Sequence, residues 1–113
     1  MARPETEVAL LKDVLKVLIN DKNAIGNQTL TVTNAAQSLT PTANASRALI
    51  QVQSSVATTA IRYWEDGSIP AVGVGMSQGN TALIELLGSE NIRNFKVIQD
   101  TGGVTQLNIT YYA

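Results

Sequence analysis

Cysteine and histidine are both absent from this sequence. Their absence excludes disulfide bonds, thiolate nucleophiles, histidine-based catalytic triads and the ordinary ligand sets of zinc and haem. Charged residues are also scarce, at 15% of the chain, and aromatic residues make up only 4%. We therefore expect a protein that is not an enzyme and that has no catalytic residues, no cofactor and no metal site.

Basic residues are few, and the formal net charge is −1. A surface that binds nucleic acid needs clustered lysine and arginine, so we expect no nucleic-acid partner. No apolar run approaches the ~20 residues of a membrane-spanning helix, and the start lacks the apolar core of a signal peptide. We expect a protein that is made in the cytoplasm and does not associate with a membrane. The dispersed basic residues are Arg3, Lys12, Lys16, Lys22, Arg47, Arg62, Arg93 and Lys96.

A chain of 113 residues has room for one hydrophobic core. Two parts are distinguished by their patterns: an N-terminal amphipathic segment over residues 1–26 and a β-sheet domain over residues 27–113. Serine, threonine, asparagine and glutamine are abundant in the second part, and threonine in particular suits the exposed face of a sheet.

The N-terminal segment is predicted to form a helix from Pro4 to about Asn20. Proline fits the first turn, and the acidic residues Glu5 and Glu7 favour the positive end of the helix dipole. The apolar side of this helix spans an arc of roughly 200°, which is too wide for one neighbour. The helix can pack on its own sheet or on a partner, and the β-branched content also permits a strand over residues 14–19.

Part of this apolar side has the spacing of a coiled-coil seam, although over only about two heptads. We take its residues as candidates for association between subunits. They are Val8, Leu11, Leu15 and Leu18.

The rest of the chain is predicted to be mainly β, because apolar and polar residues alternate between turn signals. A hairpin is expected at residues 54–57, and irregular backbone at residues 34–46 and 69–80. The fold class is a single antiparallel β-sandwich, jelly-roll-like, of about six strands, with the N-terminal amphipathic helix. The predicted strands cover residues 28–33, 48–53, 59–64, 81–87, 92–99 and 104–112.

Three short motifs suggest chemistry but do not support it. Asp100-Thr101-Gly102 is the active-site tripeptide of aspartic proteases, yet it lies too near the end of the sequence for that fold, so we interpret it as a turn. The glycines of residues 73–79 lack the lysine and the spacing of a phosphate-binding loop. Asp66 lies in a turn without the regular oxygen ligands of a calcium loop.

Arg62-Tyr63-Trp64 carries the only tryptophan of the chain. Tyr63 is predicted to face the core, with Arg62 and Trp64 on the opposite side of the strand. Tryptophan and arginine are common anchors of protein interfaces, so these two residues are candidates for partner contact. Trp64 can instead cover one end of the core, or stack on a sugar together with Arg62.

The stretch from Arg62 to Pro70, followed by a glycine-bearing loop and two further strands, resembles small virion proteins of tailed phages and prophages. The resemblance covers about residues 30–113. It implies a capsid decoration, or cement, protein that acts in the virion as a homo-oligomer, plausibly a trimer, and that binds the major capsid protein or other virion proteins. A tail or fibre-attachment component is an alternative within the same group, and a glycan-binding module is an alternative outside it.

Overall fold

The computed structural model describes residues 23–56, 58–100 and 102–113. The predicted N-terminal helix lies outside the described residues, as do Val8, Leu11, Leu15 and Leu18. Eight strands and one short helix follow in order: β1 (Ala24–Thr31), β2 (Gln37–Ser38), β3 (Arg47–Ser54), β4 (Ile61–Trp64), β5 (Met76–Gln78), β6 (Leu83–Leu87), α1 (Ser89–Asn94), β7 (Lys96–Gln99) and β8 (Thr105–Tyr112).

The strands form two antiparallel sheets of four strands each. The first sheet has the order β1-β8-β3-β6, and the second has the order β2-β7-β4-β5. Ile50 at the centre of β3 lies opposite Ile109 of β8 on one side and Ile84 of β6 on the other. Apart from β4 and β5, consecutive strands lie in different sheets, and the other strand pairs join strands that do not follow each other in the chain.

One hydrophobic core lies between the two sheets. Alternate residues of β3, β4, β6 and β8 point into it, as the period of two in a strand requires. Tyr63 of the second sheet packs on Phe95 with ring centroids 5.3 Å apart. The largest fully buried side chains include Tyr111, Phe95, Ile50, Ile61, Leu86, Ile92, Leu107 and Ile109.

The alternation predicted for four of the strands is confirmed. Ala48, Ile50 and Val52 are buried along β3, and Leu107, Ile109 and Tyr111 along β8. Ile61 and Tyr63 of β4 are buried, as are Ile84 and Leu86 of β6. The mainly β character and the antiparallel sheets are thus as the sequence indicates, with eight strands rather than about six.

Two local predictions are wrong, and one strand begins earlier than predicted. β1 begins at Ala24 and not at residue 28, and its register shifts between Ala24 and Gly26. The hairpin at residues 54–57 does not form, because β3 and β4 belong to different sheets. Residues 92–94 belong to α1 and not to a strand; Gly88 follows β6 and begins the turn into α1 with a φ of 91°, which suits glycine.

Candidate functional site

The connection between β4 and β5, residues 65–75, lies across the outer face of the second sheet, and we call it the crossing loop. Ile98 faces outward beside Arg62 of the neighbouring strand, yet it is only 9% exposed. Pro70 of the loop is fully buried. The loop is therefore anchored in the protein and not fully exposed to solvent.

An ion pair beneath the loop holds its tip and the arm that leads into β5. Nε of Arg62 lies 3.4 Å from Oδ2 of Asp100, with the two side chains 23% and 8% exposed. Nη1 of Arg62 donates a hydrogen bond of 3.1 Å to the carbonyl of Gly75. The amide of Gly73 donates one of 2.8 Å to Oδ1 of Asp100. One charge pair thus fastens the loop to β4 and to the end of β7.

The tip of the loop is a tight turn. Ala71 and Val74 exchange two backbone hydrogen bonds, of 3.0 and 2.8 Å, around Val72 and Gly73. Gly73 has a φ of 77°, which a type II turn requires at its third residue and which glycine adopts without strain. This turn projects the side chains beside it away from the sheet.

Large apolar side chains cover the outside of this fastened loop. Ile69 is 72% exposed, Val72 66% and Val74 52%, and Met76 at the adjoining edge strand is 53% exposed. An apolar surface held in one conformation loses little conformational entropy when it binds, which favours contact with a partner. The crossing loop is the candidate functional site.

Beside the loop, a surface groove of about 360 Å³ holds the single tryptophan. The amide of Ser68 donates a hydrogen bond of 3.0 Å to Oδ1 of Asp66, and this bond lowers the pKa of that exposed carboxyl. An aromatic ring beside carboxylates and an amide can stack on a sugar and bond its hydroxyls. The groove is lined by Trp64, Glu65, Asp66, Met76 and Asn91.

The two predicted contact residues lie on the same outer face of β4 but in different surroundings. Arg62 lies under the crossing loop and fastens it, whereas Trp64 is half-buried at the groove. Their roles in partner contact stay predictions. The proposed association residues of the N-terminal segment are not among the described residues.

Two features of the site are not predicted from the sequence: Asp100 as the partner of Arg62, and the exposed apolar residues of the loop. A charge pair between distant positions leaves no pattern in the sequence, and Asp100 shows only the pattern of a turn. Ile69, Val72 and Val74 do leave a signal, because large apolar residues next to a proline and glycines are unusual in an irregular loop.

Two kinds of feature are absent from the described residues. Within residues 23–56, 58–100 and 102–113, no three acidic side chains come together as a metal site. The same part of the chain contains no helix that is long and apolar enough to cross a membrane.

Compared with known proteins, the chain matches no family model, no curated protein and no solved structure.

Proposed function

We propose that this chain is a non-catalytic structural protein that binds another protein surface through the crossing loop. The observation that carries the proposal is the exposure of Ile69, Val72 and Val74 on a loop that the Arg62–Asp100 pair holds in place. Burying a side chain of this size contributes roughly 1.5–3 kcal/mol. Three of them, already ordered, supply the centre of a modest interface.

Within this class, we propose a cement protein on a phage capsid. Its strand order, β1-β8-β3-β6 facing β2-β7-β4-β5, supports a jelly roll, an architecture found in viral capsid domains. The sequence resemblance to tailed-phage virion proteins points the same way. The partner is then the major capsid protein, the location is the virion, and the chain acts as a homo-oligomer.

The mechanism of such a protein is thermodynamic. A chain that binds the assembled shell and not the free subunits stabilises the shell by mass action. Many weak copies act together on one lattice, so a loop with a small apolar contact can be effective.

Cosedimentation with assembled capsid shells of the phage that encodes the chain tests this proposal. We expect the full chain to sediment with shells and not with unassembled capsid subunits. Val72→Asp should weaken the binding about tenfold or more, because it places a charge in an apolar contact. Val104→Asp is the matched control, since Val104 is 67% exposed but lies beside Gln53 and Gln106 of the first sheet. Equal binding by both variants would contradict the proposal.

The Trp64 groove favours a second candidate function, the binding of a glycan, as in a fibre-attachment component. Saturable binding to one sugar on a glycan array, abolished by Trp64→Ala and unchanged by Val72→Asp, would replace the first proposal. Shell binding without any sugar binding would support the first.

A further inference from the structure

The two sheets have four edge strands among the described residues, and β6 differs from the other three. β2 and β5 have only 2 and 3 residues, which leaves little backbone for pairing. β1 carries a register shift between Ala24 and Gly26, and the carbonyl of Thr31 accepts a bond from Gln37. Short strands and irregular register are the usual protections of a sheet edge.

β6 has neither of these two protections, and its one charged residue, Glu85, is paired with Arg47. Its five residues contain no proline, glycine or lysine, and its register with β3 is continuous from Leu83 to Leu87. An edge of this kind is a template on which another strand can add.

The hydrogen bonds at the two ends of β6 show which backbone groups are directed outward. The amide of Val52 donates a hydrogen bond of 2.9 Å to the carbonyl of Ala82, and the amide of Gly88 donates one of 2.7 Å to the carbonyl of Ser46. Because bonding alternates along a strand, Ile84 and Leu86 also bond to β3. The amides and carbonyls of Leu83, Glu85 and Leu87 are directed away from the sheet.

The side chains of the same three residues are exposed on the outer face. Leu83 is 63% exposed and Leu87 59%, while Ile84 and Leu86 between them are buried. Glu85 lies at the midpoint and forms an ion pair of 3.0 Å with Arg47 of its own chain. The strand is thus arranged symmetrically, as leucine, paired glutamate and leucine.

We propose that β6 pairs antiparallel with β6 of a second copy of this chain, about a two-fold axis at Glu85. Leu83 then lies opposite Leu87 of the second copy, and each pair of opposite residues exchanges backbone hydrogen bonds. The two central glutamates meet, but each keeps its own arginine, so the four charges sum to zero. The two first sheets join into one continuous sheet.

The occupant is a second copy because the strand is complementary to itself. A two-fold contact needs a surface that matches its own rotated image, and the leucines around Glu85 do. One group needs adjustment: the carbonyl of Leu87 already accepts a bond of 2.8 Å from Nδ2 of Asn91. A carbonyl has two lone pairs, so it can also accept a hydrogen bond from the amide of Leu83 in the second copy.

The inference goes beyond the proposed function and uses other side chains. It gives a dimer, whereas the sequence resemblance predicts a trimer. Loss of shell binding in Val72→Asp and loss of dimer in β6 variants are separate results, so either proposal can fail alone.

Single cysteines test the register, because the natural chain has none. In Glu85→Cys the two Cα atoms would lie about 5.5 Å apart, within the range of roughly 4.4–6.8 Å for a disulfide. In Leu83→Cys the equivalent atoms would lie about 13 Å apart along the strands. We expect mild oxidation to link the first variant into dimers and not the second, whereas a mixture of Leu83→Cys and Leu87→Cys chains should link.

The oligomeric state is the second readout. Light scattering of the full chain at micromolar concentration should give the mass of a dimer, and the double variant Leu83→Lys/Leu87→Lys should give a monomer. Thr29→Lys/Thr31→Lys is the matched control on the exposed edge strand β1, and it should remain a dimer. Circular dichroism establishes that each variant is folded.

Three results would overturn the inference. The first is a wild-type chain that is a monomer at these concentrations. The second is a Glu85→Cys chain that forms disulfide-linked dimers no faster than Thr29→Cys. The third is an intramolecular disulfide in the double variant Glu85→Cys/Leu15→Cys. The last result would assign the edge to the chain's own N-terminal segment instead of a second copy.

Discussion

Arg62 and Asp100 meet beneath the crossing loop with Nε and Oδ2 3.4 Å apart, although Arg62 belongs to β4 and Asp100 follows the end of β7. Nε is buried and makes no hydrogen bond among the described residues, so the carboxylate of Asp100 is the group that compensates its positive charge. The same carboxylate accepts the amide of Gly73. The pair therefore sets the conformation of the loop that carries the exposed apolar side chains.

Asp100→Asn should reduce the free energy of unfolding by about 2 kcal/mol, because it leaves the arginine mostly buried without its counter-charge. Glu90→Gln, which breaks an exposed ion pair with Arg93 on α1, should cost less than about 1 kcal/mol. Urea unfolding of both variants measures the difference. Equal losses would show that the Arg62–Asp100 pair contributes no more than a surface contact.

Gly75→Ala should destabilise the loop more than Gly73→Ala does. A Cβ at Gly75 would lie 3.1 Å from the carbonyl oxygen of Tyr63, and the φ of 127° strains any other residue. At Gly73 the φ is 77°, and nothing lies within 4 Å of an added Cβ. We expect a loss of about 1 kcal/mol at Gly73 and a clearly larger one at Gly75.

Thermal unfolding provides the comparison between these two glycine variants. A Gly75→Ala protein as stable as Gly73→Ala would mean that the loop can lift away from Tyr63 at no cost.

Stability should fall at alkaline pH through Tyr111. Burial raises the pKa of Tyr111 from 10.0 to about 12 in the folded state. A raised folded-state pKa means that the stabilisation is complete below about pH 10 and is lost as the pH rises towards 12, by up to about 1.4 kcal/mol per pH unit. Burial also raises the pKa of Tyr63, which adds to the same slope.

Tyr111→Phe is the matched variant for the pH dependence. It removes the hydrogen bond of 2.6 Å from the phenol to Gln28, so at neutral pH it should be about 1 kcal/mol less stable than the natural chain. Near pH 11 the order should reverse, because phenylalanine cannot ionise. Urea unfolding at both pH values measures the crossing, and parallel curves would contradict the assignment.

Trp64→Ala tests the predicted contact residue on β4. Trp64 is half-buried at the groove, so its removal should cost less stability than Phe95→Ala, for which about 3–5 kcal/mol is expected at a fully buried site. If Trp64 contacts the capsid, shell binding should fall while the fold is kept. Unchanged cosedimentation would leave the tryptophan without a role in that interface.

The sequence pattern predicts the strands whose two faces differ in polarity. It does not predict the elements whose surroundings are formed by residues far away in the chain. Along β3 and β8 the inward residues are apolar except for Thr105, and the outward ones are mostly polar, so the period of two was sufficient. α1 gives no such signal, because Ile92 is its single buried residue, and one buried residue fits a helix as well as a strand. Pairing partners were also hidden, since β3 is followed by a strand of the other sheet.

The candidate site shows the same limit. Arg62 and Trp64 were found because alternation placed them opposite Tyr63, which the structure buries. The group that pairs with Arg62 could not be predicted, because Asp100 lies far along the chain, just after β7. The outward leucines of β6 were visible in the sequence as an apolar run, but their meaning depends on β6 being an edge strand.

The position of β8 in the first sheet has a consequence for folding during synthesis. β8 lies between β1 and β3 and is the last of the described strands to be translated. Until it leaves the ribosome, β1 has no neighbour in its sheet, and the apolar face of β3 lacks Leu107, Ile109 and Tyr111. The first sheet therefore cannot be completed before β8 has been synthesised, and its long-range pairings favour slow folding, during which the incomplete sheet exposes apolar surface that can aggregate.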